Sequence, residues 1–254
     1  MDSAMSFSKL FGGVPFIHDT FNADRFLAAV AVSRMYILRN INSNDTFENY
    51  NHLLSPDLAK KIRESQNIVD RIESEEVPTN DLNKVQDAIM EIMINKPNFE
   101  KYFKIPFKFR LLKNENIISC SSYNTPQYIF LGKKAFYSKK ELVEQILHEV
   151  AHNWLYFVEE LFALQAGEMQ DLYLLPSGTA NKNIKEVLGA AHVASVLFIY
   201  YDEINYDDTY TNRLDFLRKY LDGCLLILKE KSNKLSFTGK FIFSEIDQIK
   251  KHFK

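Results

Sequence analysis

Cysteine is nearly missing from this protein: two residues in 254, Cys120 and Cys224, far apart and without CxxC or CxxH spacing. That excludes a disulfide framework and a cysteine-rich zinc knuckle, and two isolated thiols suit a reducing compartment. An excess of one charge is missing as well. With 31 Lys and Arg against 33 Asp and Glu, the formal net charge is -2, which argues against nucleic-acid binding as the main activity. Long apolar runs are lacking: nothing approaches the ~20 residues of a membrane span, and Ala28 to Val32 is a short run between Arg25 and Arg34. The N-terminus has no basic stretch leading into an apolar core, so the expected location is the cytoplasm. No repeat, low-complexity tract or linker is visible. What remains, 46% hydrophobic and 25% charged, is the balance of an ordinary globular protein.

The periodicity of the apolar residues predicts helices over residues 21–40, 56–74 and 80–95. Ser55 with Pro56, and Thr79 or Asn80, stand where caps belong. Between residues 97 and 137 the character changes. Pro97, Pro106, Pro126 and Gly132 punctuate short aromatic runs such as Phe107 to Leu111 and Gln127 to Leu131, which predicts a small sheet of two to four strands. A long helix is expected from Ser138, a capping-box residue with Glu141 three positions on, to about Leu164. A loop follows over 167–183, then helices over 183–201, 211–230 and 236–252. The expected fold is mostly α, of the α+β class, with a helical part over 1–100 and a catalytic part over 101–254, packed as one compact domain.

Within the long helix stands His148-Glu149-Val150-Ala151-His152. Positions i and i+4 share a helix face, so the two imidazoles can close on one metal ion while Glu149 stands beside them. A third protein ligand is needed. Glu168 and Asp171 lie near the spacing a zinc peptidase uses, but neither stands in the expected helical pattern. His192, in a run of small and apolar residues from Val187 to Leu197, is favoured over them, because Gly and Ala permit close helix approach. Taken alone, a histidine in such a run is more often a core residue. His18, His52 and His252 are expected at the surface, and Trp154, Tyr156 and Phe157 in the core.

In sequence order, Pro126 and a short strand lead to Gln145-Ile146-Leu147-His148-Glu149-Val150-Ala151-His152-Asn153. A loop with Pro176-Ser177-Gly178 and Lys182 follows, then Leu188-Gly189-Ala190-Ala191-His192-Val193. An Arg-bearing helix over 213–220 leads to Leu235-Ser236-Phe237-Thr238-Gly239-Lys240. This ordered set, covering roughly residues 120–245, resembles the HExxH-type 2-oxoglutarate-dependent peptide β-hydroxylases that modify ribosomally made natural-product precursors. Lys182 stands where that family often has Arg, and Gly189 where many members have His.

The resemblance implies Fe(II) on His148, His152 and His192, with 2-oxoglutarate and O2 as cosubstrates and a precursor peptide as partner. In the overall reaction a C–H bond at the β-carbon of a peptide residue becomes C–OH, while the 2-oxo acid and O2 yield succinate and CO2. The free carboxylate of 2-oxoglutarate needs a cation, for which Arg213 comes first, then Arg218 and Lys182. Glu149 would tune a histidine or a metal-bound water. Two other readings stand beside this one: a cytosolic zinc metallopeptidase with Glu149 as general base, and a scaffold that binds a peptide and retains the motif as a remnant.

Overall fold

The computed structural model describes residues 3–40, 50–66, 70–167, 171–202, 204 and 208–251. The protein divides into two compact units, one formed by Ala23–Leu161 and the other by Met1–Asn22 together with Phe162–Lys254. The sequence suggests a helical part over 1–100 and a further part over 101–254; the two units part at Asn22/Ala23 and at Leu161/Phe162. The fold is mostly helical with one small mixed sheet, as expected of the α+β class.

The unit Ala23–Leu161 carries helices α2 (Ala23–Asn40), α3 (Tyr50–Leu53), α4 (Pro56–Ser65), α5 (Thr79–Asn95) and α6 (Lys139–Leu161). It also carries strands β1 (Ser74–Glu76), β2 (Lys108–Leu112), β3 (Ser119–Ser122) and β4 (Thr125–Leu131), while α1 (Ser3–Phe11) belongs to the other unit. The sheet order is β1-β2-β4-β3. β2 and β4 are parallel; β1 and β3 close the two edges antiparallel to their neighbours. β4 is central, and all seven of its residues are buried, the continuous burial expected of a strand covered on both faces.

α6 begins as its sequence dictates. Ser138 Oγ accepts the Glu141 N–H at 3.0 Å, satisfying one of the free amides of the first turn. One face of the helix then buries Leu142, Ile146, Leu147, Val150, Trp154, Phe157 and Val158. Trp154 is fully enclosed, meets the rings of Phe26, Tyr102 and Phe157, and donates its indole N–H to the Tyr102 carbonyl at 3.0 Å. Trp154 and Phe157 are therefore core residues, as read from the sequence.

A buried polar network ties α2, α6 and β4 together. The Arg34 guanidinium donates to both carboxylate oxygens of Glu160, each at 2.9 Å, to Gln127 Oε1 at 2.8 Å, and to the Leu53 carbonyl. Gln127 has a φ of 66°, an uncommon conformation for a non-glycine residue. Its amide gives one hydrogen to the Leu54 carbonyl and one to that of Pro106, and its backbone N–H donates to Asn153 Oδ1 at 2.6 Å. Each polar group in this series of contacts has a partner, which a charge pair so deep requires.

The helix expected over 56–74 is shorter. α4 ends at Ser65, and Ser74–Glu76 forms β1, paired with Leu112, Leu111 and Arg110 of β2. Long-range ladder pairing overrides a weak helical pattern there.

The unit of Met1–Asn22 with Phe162–Lys254 contains α1 and three further helices, α7 (Ile184–Asp202), α8 (Asp208–Glu230) and α9 (Phe237–Lys250). α7 is long and apolar enough to cross a membrane by length and composition, which the sequence reading had not singled out. Yet 83% of its apolar window is buried inside the protein, and a helix apolar all round fits a core position. The loop after α1 turns at Gly12 and Gly13, with φ of 77° and 127°. A Cβ on Gly12 would lie 2.2 Å from the Thr20 carbonyl oxygen, and one on Gly13 would strike the His18 ring, so both positions demand glycine. His18 Nδ1 accepts the Val14 N–H, and Nε2 meets Glu245 at 3.0 Å. That makes it a brace for this loop, where the sequence suggested an idle surface residue. The expected loop over 167–183 holds a two-stranded turn closed by Tyr173 and Lys182. Glu168 and His252 lie outside the described residues.

Candidate functional site

The helical spacing of the motif is realised. His148 and His152 lie one turn apart on α6, their ring centroids 4.9 Å apart. His148 is open to solvent over 36% of its side chain, while Glu149 retains 3%. Glu149 Oε1 lies 4.0 Å from His148 Nε2 and accepts a hydrogen bond from Ser119 Oγ on β3 at 2.5 Å. Asn153, next to His152, is fully buried; its Nδ2 donates to the Glu149 carbonyl at 2.9 Å. It is thus a helix-to-sheet anchor through Gln127 and not a helix-surface amide.

Tyr156 continues the face of the two histidines. Its ring is stacked on that of His152, 6.0 Å between centroids, and lies edge-on to Tyr123. It is half-buried and donates to the Ser121 carbonyl at 3.4 Å, so it flanks the motif where the sequence suggested a core position. Cys120, between Ser119 and Ser121, packs against the cluster of Leu112, Tyr128 and Phe130. Burial pushes its thiol up to about 12, and the Glu149 and Asp70 charges push the same way.

The other predicted site residues all belong to the unit that holds α7 to α9. His192 is fully enclosed in α7. Burial pulls its pKa down to about 4, against the opposing pull of the Pro15 carbonyl, so the ring is neutral at physiological pH. Nε2 lies 2.9 Å from that carbonyl, which can only accept, so the ring hydrogen sits on Nε2. Nδ1 then carries the free lone pair, buried and without a hydrogen bond. Arg213 lies over the Phe216 ring at 4.8 Å and Arg218 over Phe198 at 5.6 Å, the latter 3.6 Å from Asp215. Lys182 Nζ donates to Glu186 Oε1 at 2.9 Å. The alternative ligand Asp171 pairs with Lys234.

Among the described residues, no three His, Cys, Asp or Glu side chains form a group that could hold a metal ion. The residues brought together are the pair on α6 with Glu149 beside them. Sequence reasoning missed Ser119 and Gln127. Neither sits in a pattern that announces a partner; each meets α6 through contacts 26 to 30 residues away in sequence. The sequence matches no protein-family model and no curated protein.

Proposed function

We propose that this protein is an Fe(II)- and 2-oxoglutarate-dependent peptide hydroxylase, with His148 and His152 on α6 as metal ligands. The observation that carries the reading is the pair of imidazoles one helical turn apart, partly open to solvent, above an enclosed carboxylate. The chemistry of the donors fits. Imidazoles at i and i+4 of one helix can close on one metal ion; His192, enclosed in α7 with its lone pair on Nδ1, belongs to the other unit. Imidazole ligands on one face of a metal leave positions open for a chelating 2-oxo acid and O2. When bound, the iron with its cosubstrates supplies the oxidising power for C–H hydroxylation.

The protein's own residues would bind and orient. The distal carboxylate of 2-oxoglutarate needs a cation, and a guanidinium matches it best, with two hydrogen bonds; the candidates Arg213, Arg218 and Lys182 belong to the other unit. β3 is an edge strand beside Glu149, and the free side of an edge strand can take an extended peptide as a further strand. Tyr123 and Tyr156 would line the approach to His152. Glu149, nearly enclosed and held by Ser119, suits a fixed partner of the metal-binding face better than a base that must follow an attacking water.

The test is incubation of the protein with Fe(II), 2-oxoglutarate, O2 and a candidate precursor peptide. The reading expects succinate and a peptide heavier by about 16 daltons, the mass of one oxygen. A peptide cut in two, with no mass gain and no dependence on 2-oxoglutarate, would decide for the zinc metallopeptidase with Glu149 as base.

A further inference from the structure

Ser119 opens β3, and the backbone there is tightly fixed. Ser119 pairs with Leu131 of β4, and Gly132 N–H donates to the Ile118 carbonyl at 2.7 Å. A Cβ on Gly132 would lie 2.1 Å from the Ile117 carbonyl oxygen, so the segment entering β3 is drawn hard against the end of β4. Cys120 packs against the Leu112, Tyr128 and Phe130 cluster, while the hydroxyl of the preceding residue, Ser119, meets α6. The Ser119 hydroxyl has two acceptors within reach, Glu149 Oε1 at 2.5 Å and Gln145 Oε1 at 2.7 Å. A hydroxyl carries one hydrogen, and the carboxylate, nearer of the two, takes it. Gln145 is itself held, its Nε2 donating to Glu141 Oε1 at 2.8 Å. Glu149 is therefore held by one strand residue, Ser119, whose hydroxyl also lies within reach of the preceding turn of α6.

We infer that Ser119 is a positioning residue, which holds the Glu149 carboxylate at its fixed place beside His148 and thereby sets the metal affinity of the histidine pair. This rests on the metal reading of His148 and His152. Outer partners of this kind orient the groups that touch the metal, and their loss typically weakens binding about 10- to 100-fold. The effect runs through Glu149, so it vanishes once Glu149 is replaced.

The experiment titrates the full-length, metal-free protein with Co(II) and Zn(II), following affinity and the visible Co(II) spectrum. Ser119→Ala should weaken binding by about tenfold or more and shift the spectrum, whereas Ser119→Thr, which keeps the hydroxyl, should restore both. Ser119→Ala added to Glu149→Gln should cost nothing beyond Glu149→Gln alone, because coupled residues are not additive. A purely structural serine would lower the melting temperature and leave the Co(II) spectrum as it was. If Ser119→Ala does not fold, Ser119→Cys, similar in size with a weak donor, serves the same comparison. Wild-type or tighter affinity in Ser119→Ala, or losses that multiply with Glu149→Gln, would overturn the inference. His148→Ala separates the two levels: undiminished binding there would remove the histidine pair from the site and sink the functional reading itself. Lost binding there, with Ser119→Ala unchanged, would sink only the role of Ser119.

Discussion

At the scale of single residues, His192 and Glu149 make opposite demands on their surroundings. His192 is kept neutral by burial, with a pKa near 4 against 6.5 for the free side chain. Above pH 6.5 both folded and unfolded forms are neutral there, so the residue adds no pH dependence. As pH falls from 6.5 toward 4, the unfolded state takes up a proton that the folded core refuses, and stability drops by up to about 1.4 kcal/mol per pH unit. In metal-free protein, urea unfolding across this window should show a steeper acid loss for wild type than for His192→Gln. Equal slopes would mean that the ring is already protonated in the fold. Cys120 and Cys224 are both pushed up to about 12, chiefly by burial. Their thiols should resist alkylation at neutral pH until denaturant is added, which a timed iodoacetamide reaction with mass readout checks. Glu149→Gln discriminates mechanisms: a peptidase would lose on the order of 10²–10⁴-fold in rate. A hydroxylase, which needs no activated water, should keep measurable succinate formation at matched iron content.

Among the elements, α6 was the most legible from sequence. Its cap at Ser138, its apolar stripe and the His148–His152 spacing are all local signals, and local signals survive folding. α4 and β1 show the opposite case. Ser74, Glu75 and Glu76 carry no strand pattern of their own; they become a strand because β2 offers an unpaired edge. The Arg34–Glu160 pair was equally hidden, since it joins α2 to α6 across 126 residues. Its energetic weight is asymmetric. Removing Glu160 strands the buried Arg34 charge, so Glu160→Gln should destabilise the protein by roughly 3–5 kcal/mol, and Arg34→Met by less, because Glu160 keeps Arg63 at 3.7 Å. The double replacement should cost less than the sum of the two, because Arg34 and Glu160 share one interaction that each single change already removes, while Arg63 loses Glu160 in both Glu160 variants. A double-mutant cycle by chemical denaturation measures this, and additive losses would show that the two side chains are independent.

For the whole molecule, the motif helix and sheet belong to Ala23–Leu161, while His192, Arg213, Arg218 and Lys182 belong to the unit formed by the two ends of the sequence. That division was not readable from composition, because the second unit is discontinuous and α1 had no expected role. The α+β class was readable, since helical period and strand alternation are summed over many residues. His192 was only half readable: an apolar run containing one histidine looks alike whether the ring is a core residue or a ligand. Its neutral tautomer, with hydrogen on Nε2 and a lone pair on Nδ1, needed the Pro15 carbonyl to be seen. The proposed metal site on α6 requires that the imidazoles of His148 and His152 hold Fe(II) with room for a 2-oxo acid. Anaerobic reconstitution with Fe(II) and 2-oxoglutarate tests it most directly. A weak visible charge-transfer band is expected, and it should disappear in His148→Ala and in His152→Ala. A protein that shows no such band and turns over a peptide only with Zn(II) would contradict it.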